Sequence, residues 1–243
     1  MSIIKLNATD STNSYLRTLS ARENVEDYTT VVAKKQTQGR GQMGTVWDAE
    51  TSKNLTFSVY KDVSGFQLDS PFYISMVAAL SVLKTLQFFS ISRLRVKWPN
   101  DILSADKKIC GILIENVIKQ NSINASIIGI GLNVNQTEFK NLPKASSLSI
   151  LSGKVYNLDE LVMVILNNLK GYFLLLKDGK YDLIKAEYET HLFRKNKPST
   201  FKDVEGLMFS GFIKGISDSG KLLVLLEDNI IKSFDLKEIT LLY

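Results

Sequence analysis

A single cysteine, Cys110, and a single histidine, His191, stand in 243 residues. One thiol excludes an internal disulfide framework and a cysteine-rich metal site. One imidazole argues against a histidine-based zinc site and against a Ser-His-Asp triad. Long hydrophobic runs are missing as well: the stretch from Phe72 to Phe89 is interrupted by Ser75, Ser81, Lys84, Thr85 and Gln87, so it does not read as a membrane span. The opening MSIIKLNATDS lacks the basic start and apolar run of a signal peptide, which makes the cytoplasm the expected compartment. Dense Lys/Arg runs are also lacking. The net charge of +5 and pI near 9.1 therefore suit anionic small molecules or an acidic protein partner better than nucleic acid.

What is present is ordinary globular material, 44% hydrophobic and 23% charged, enough for a sizeable core. Strands are expected at Ser2–Leu6, Tyr28–Ala33, Leu94–Trp98, Lys108–Ile118 and Ala125–Val134. Asn54–Tyr60 alternates Leu55, Phe57 and Val59 with polar residues, the period of a half-buried strand. Ser11 or Thr12 caps a helix through Leu19. Asp69 or Ser70, with Pro71, opens a helix to Phe89. Asn157 followed by Glu160 is a capping-box pattern for a helix through Leu169, and Tyr181–Phe193 reads as another. After Arg194 the texture changes to a polar linker, KNKPST, and about five short strands broken by Gly206, Gly211, Gly215 and Ser219-Gly220. The expectation is an α/β (α+β) main domain with a mixed sheet over residues 1–194 and a small all-β unit over 195–243.

Three loops carry chemistry. In GRGQMG, Gly39, Gly41 and Gly44 free the backbone for φ > 0 and for close approach, and Arg40 adds a planar donor fork for carboxylate or phosphate; taken alone, the stretch equally fits a glycine-rich hairpin with an incidental arginine. A dinucleotide fingerprint would need a helix next, but TVWDAETSKNLTFSV follows; a P-loop would need Gly-Lys-Ser/Thr. In RLRVKWPND, Arg93, Arg95 and Lys97 share one strand face; the first two are expected in solvent, whereas Lys97 ends the strand where Pro99 breaks pairing. In KKICGILIEN and GIGLNVN, Gly111 either leaves room for something to pack on the backbone or marks a bulge, and Asn133 and Asn135 could bond a heteroaromatic ring or simply close a turn. Cys110, mid-strand and without a base, is expected to be a buried structural thiol.

Together these residues resemble biotin protein ligases. DSTN at Asp10–Asn13, Gln36 followed by GRGQMG and Trp47, Asn54-Leu55, KWPND at Lys97–Asp101, KICGILIE at Lys108–Glu115 and GIGLNVN at Gly129–Asn135 stand in family order over most of residues 1–195. The resemblance implies a class II synthetase-like catalytic domain with an SH3-like C-terminal β-barrel. It also implies a two-step reaction: biotin's carboxylate attacks the α-phosphorus of Mg-ATP, giving biotinyl-5′-AMP and pyrophosphate. A lysine of a biotin carboxyl carrier protein then attacks the anhydride and releases AMP. By position, Ser11, Thr12, Asn13, Gln36, Arg40, Gly41, Gln42, Lys108 and Gly111 would line the biotin and acyl-phosphate site, with Arg40 and Lys108 as catalytic groups. Gly39, Trp47, Lys97, Asn100, Asp101 and Asn133 would lie on the ATP side, Asp101 either helping to hold Mg²⁺ or orienting Lys97. Monomer and homodimer both fit the resemblance, without membrane attachment.

Two departures stand out. Many relatives carry GRGRRG, where this chain has Gln42 and Met43, so weaker retention of the adenylate is expected. The first motif begins at Asp10, so no DNA-binding role is expected. The alternatives are a lipoate or octanoate ligase or transferase of the same fold, which would want an apolar pocket in place of the Ser-Thr-Asn cluster, and a non-catalytic nucleotide- or carrier-binding module, which would release no pyrophosphate.

Overall fold

The strand-forming stretches of the first half pair into one mixed sheet in the computed structural model, which describes residues 2–68 and 70–243. Its order is β1 (Ile3–Leu6), β2 (Thr30–Ala33), β3 (Leu55–Asp62), β7 (Ser122–Leu132), β6 (Lys107–Lys119), β5 (Asp101–Ser104) and β4 (Leu94–Lys97). β1 and β2 are parallel and are joined by helix α1 (Thr12–Arg22), the crossover that a parallel pair requires. The remaining pairings are antiparallel. Strand β5 was not foreseen; it forms because the chain reverses through Trp98–Asn100 and pairs Asp101 with Lys97. β3, expected to be half-buried, is buried on both faces. Its polar side chains are satisfied there, Thr56 donating to the Ala33 carbonyl and Ser58 reaching the start of α1.

Helix α2 (Phe72–Phe88) is buried nearly all round, between the sheet and helices α4 (Leu158–Lys177) and α5 (Tyr181–Thr190). Its interior hydroxyls bond back along the helix, Ser81 to Val77 and Thr85 to Ser81. Of the two expected caps, Asp69 lies outside the described residues, while Pro71 takes the cap position and the Ser70 hydroxyl accepts from the Phe72 amide. α4 starts on Asn157, which accepts from the Asp159 and Glu160 amides, and it runs eight residues past the expected Leu169. α5 stops short of Phe193 because that residue turns to pair with β4, its amide donating to the Val96 carbonyl at 2.8 Å. A short helix α3 (Leu148–Ser152) follows the main sheet.

The tail forms a second, antiparallel sheet of β8 (Pro198–Asp203), β9 (Met208–Ile216), β10 (Leu222–Leu226), β11 (Ile231–Phe234) and β12 (Ile239–Leu242), in the order β11-β10-β9-β8-β12. β11 and β12 remain its two edges. The polar KNKPST stretch is already part of it, the Asn196 amide donating to Ile213. Phe201, Ile213, Ile216, Leu222 and Val224 join the same apolar core as α2 and α5. Polar contacts reinforce that junction: the Trp98 indole N–H donates to the Gly220 carbonyl, and Glu189 accepts from the Ile216 amide and pairs with Lys195. Among the described residues no helix is long and apolar enough to cross a membrane.

Candidate functional site

A cavity of about 570 Å³ opens between the 36–47 loop, the turn from β4 to β5, the inner face of β6 and β7, and β12 of the second sheet. Its floor is made by two glycines. Gly111 on β6 and Gly131 on β7 are direct partners, and the Trp47 indole lies across them. A Cβ on Gly131 would collide with the indole, and one on Gly111 would stand 3.1 Å from its Cζ3. The space expected above Gly111 is therefore taken by Trp47, with the Lys108 stem beside it. Gly131 was not singled out from the sequence; its cross-strand partnership with Gly111 is the signal. The Trp47 Nε1 is buried without a hydrogen-bond partner.

At one end lie the polar residues of α1. The Thr12 amide and hydroxyl both donate to Gln36 Oε1, at 2.8 and 3.0 Å. Asn13 donates through Nδ2 to Glu115 at 2.8 Å and to the Leu113 carbonyl at 3.3 Å, and its Oδ1 lies 2.6 Å from the Ser58 hydroxyl. Asn13 is thus committed to the scaffold, pressed against β7 where a Cβ on Gly129 would strike it. The groups left to meet a ligand are the Ser11 hydroxyl, which makes no cap hydrogen bond, and the Gln36 amide nitrogen.

The glycine loop is a narrow hairpin: Gly41 N–H bonds to Thr45 O at 2.7 Å and Trp47 N–H to Gly39 O at 3.0 Å. Of its three glycines only Gly44 takes a positive φ. Gly39 and Gly41 are needed for close approach instead, since a Cβ would collide with the Trp47 carbonyl or the Thr45 hydroxyl. Arg40 leaves this hairpin toward the cavity and is held by Glu115, Nη2 to Oε2 at 2.9 Å. Glu115, to which sequence reasoning gave no role, also faces Arg17 at 3.5 Å.

At the other end Asp101 collects two lysines, Lys108 at 2.7 Å and Lys97 at 3.9 Å. Burial pushes the Lys97 ammonium below its ordinary range, Asp101 opposes this, and Lys108 and Lys144 add like-charge repulsion. Lys97 and Lys144 also sit over the Tyr243 ring, at 4.9 and 3.9 Å from its centre. Asn100 spends its amide on the Ile112 carbonyl. Asn133 and Gly39 are not among the lining residues; the Asn133 amide is buried and donates to Ser146. Asn135, likewise, bonds Tyr156 rather than the cavity. Arg93 and Arg95 stand in solvent, and Cys110 is fully buried with its thiol pushed up by burial. Among the described residues no group of three His, Cys, Asp or Glu side chains is placed to hold a metal ion.

Among the described residues the cavity is lined by four cations, Arg40, Lys97, Lys108 and Lys237, and by one carboxylate, Asp101. Such a surplus of positive charge suits a polyanion. Neither the thiol nor the imidazole reaches it, so charge stabilisation is the chemistry it offers.

A sequence profile of the biotin/lipoate A/B protein ligase family matches residues 6–133. The chain belongs to this family. Relatives within it include the bifunctional ligase/repressor BirA of Bacillus spizizenii, 31% identical over 221 residues that cover 88% of this chain and 66% of the relative. The biotin–[acetyl-CoA-carboxylase] ligase of Mycobacterium tuberculosis is 27% identical over 88% of this chain and 79% of its own length. In architecture, the biotin protein ligase of Aquifex aeolicus, solved with biotin and ATP, superposes with a TM-score of 0.83 at 27% identity, covering 99% of this chain and 98% of that one. The chain thus spans just under two thirds of the Bacillus ligase/repressor and nearly all of the Aquifex ligase.

Proposed function

We propose that the chain is an ATP-dependent biotin protein ligase, which forms biotinyl-5′-AMP and passes the biotinyl group to a lysine of a biotin carboxyl carrier protein. The observation that carries this reading is the cavity itself: an uncommitted hydroxyl and amide at one end, Lys97 and Lys108 gathered on Asp101 at the other, and a glycine hairpin that brings Arg40 in between. The relatives' names and the Aquifex complex with biotin and ATP support it.

In this proposal the Ser11 hydroxyl and the Gln36 amide recognise the ureido ring, which needs neutral donors and acceptors. Gly41 and Gln42 of the hairpin cover the valeryl chain and its carboxylate. As a carboxylate oxygen bonds to the α-phosphorus and the bond to pyrophosphate breaks, negative charge grows on the phosphoryl oxygens. Arg40 and Lys108 stabilise that charge without moving a proton. Thr12, Asn13, Asn100 and Asn133 act indirectly, holding the strands and α1 in register. Trp47 and Lys97 complete the nucleotide side. Asp101 orients Lys97 and Lys108, both within ion-pair distance of it, and Mg²⁺ would enter with the triphosphate as its counter-ion. In step two the carrier lysine's amine attacks the acyl carbon and AMP leaves with the electron pair.

The proposal includes a division near residue 194, supported by the second sheet beginning at Pro198, and a cytoplasmic setting. The small unit contributes Lys237, Thr240 and Leu241 to the cavity wall, which fits a part in closing over ATP. Pyrophosphate release from ATP with biotin, lipoate or octanoate supplied in turn tests the assignment. Release with biotin alone is expected; release only with lipoate or octanoate would move the chain to the other branch of its family.

A further inference from the structure

Glu115 is an acidic group that bonds both the hairpin and α1. A single oxygen, Oε2, takes the Asn13 amide at 2.8 Å and the Arg40 guanidinium at 2.9 Å, while Oε1 faces Arg17 at 3.5 Å. The carboxylate is 16% exposed, whereas Arg40 is 44% exposed on a hairpin of glycines. Without a partner, such an arginine would wander among many rotamers in water. One of its five N–H groups is spent on Glu115, and the remaining donors of the planar fork are free for an anion in the cavity. Glu115 is itself fixed, because it lies within β6 in register with Ile127 of β7. Two arginines share this one carboxylate, so its charge does not cancel the positive field at the hairpin.

We propose that Glu115 is the positioning residue of Arg40: it ties the hairpin arginine to the α1 end of the cavity and aims the guanidinium at the phosphoryl group. This rests on the ligase reading above. The same oxygen couples the two ends. A properly seated Asn13 orients Glu115, which orients Arg40, so disturbance at α1 reaches the charge-stabilising group without contact between them.

The test is a double-mutant cycle of Glu115→Gln and Arg40→Ala, read by single-turnover pyrophosphate formation and by biotin affinity in the absence of ATP. Glutamine keeps an acceptor for Asn13 but loses the charge that holds Arg40. We expect Glu115→Gln to slow adenylation by about tenfold while biotin affinity changes by less than about twofold, and to have no further effect in the Arg40→Ala background. Equal rates for wild type and Glu115→Gln, an undiminished effect without Arg40, or parallel loss of biotin affinity would each overturn the assignment. Amide exchange of residues 39–47 supplies a readout independent of turnover. Faster exchange in Glu115→Gln supports the tether, and unchanged exchange contradicts it. A wild-type protein that forms no pyrophosphate with biotin would instead overturn the ligase reading, leaving the exchange result to decide whether Glu115 positions the hairpin.

Discussion

Arg40 shows how much of a residue's role depends on what its neighbours have already claimed. Its guanidinium keeps donors free because Glu115 takes only one of them, and its charge matters because, among the described residues, Asp101 is the one carboxylate lining the cavity. Replacing it with alanine should lower the rate of adenylate formation by at least about two orders of magnitude, the usual worth of a charge-stabilising donor. A single-turnover rate within threefold of wild type would remove Arg40 from the mechanism. Gln42 is the complementary case. Where the family resemblance leads one to expect a second arginine, this chain offers a neutral amide, so Gln42→Arg should slow the escape of biotinyl-AMP, measured by trapping the released intermediate. The asparagines teach the opposite lesson. Their chemistry in the sequence suits a ureido or purine ring, yet Asn13, Asn100 and Asn133 bond to Glu115, Ile112 and Ser146. Those partners lie 102, 12 and 13 residues away, and no local pattern announces them.

At the scale of elements, the cavity floor depends on two glycines meeting across β6 and β7. Both strands were expected from the sequence, and Gly111 read there as a place of close approach or a bulge. That Trp47 would fill it was not legible, because the indole arrives from a hairpin more than sixty residues earlier in the chain. Gly131→Ala puts a methyl group into that ring and should displace it. We expect the Trp47 emission to shift to the red in a Trp98→Phe background, with slower adenylation; an unchanged spectrum would show that the ring does not rest there. Helix α4 was legible from its cap, since Asn157 is a local signal. Strand β5 was not. Its four residues acquire strand structure only by pairing with β4 and β6. The end of α5 escaped for a similar reason, as Phe193 exchanges a further helical turn for a bond to Val96.

At the scale of the whole molecule, the question is what keeps the second sheet on the first. The apolar core runs through the junction, and Glu189 satisfies the Ile216 amide beside Gly215. Glu189→Ala leaves that amide without its acceptor and should cost about 1–3 kcal/mol in denaturant unfolding. No loss of stability would place the strength of the junction in its apolar contacts alone. The lone histidine offers a pH test. Burial holds His191 below its ordinary value of 6.5, with Arg95 and Lys84 adding to the shift and Glu187 opposing it. Between the depressed and ordinary values the unfolded chain binds more protons than the folded one, so stability rises with pH through that window. The contribution is fully present above about pH 6.5 and is lost as the pH falls through the folded value. His191→Gln should therefore lose less stability than wild type between about pH 7 and about pH 5. Equal losses would show that the imidazole titrates normally.

The central claim joins these scales: a hairpin arginine, a glycine floor and a cationic cavity on a two-sheet scaffold activate biotin for transfer. The most direct measurement incubates the chain with ATP, radiolabelled biotin and a biotin carboxyl carrier domain, and follows pyrophosphate, AMP and the labelled lysine together. The account predicts ATP-dependent label on one carrier lysine, with pyrophosphate and AMP in equal amounts. Label that appears without ATP, or none at all with biotin under conditions where lipoate is transferred, would contradict it.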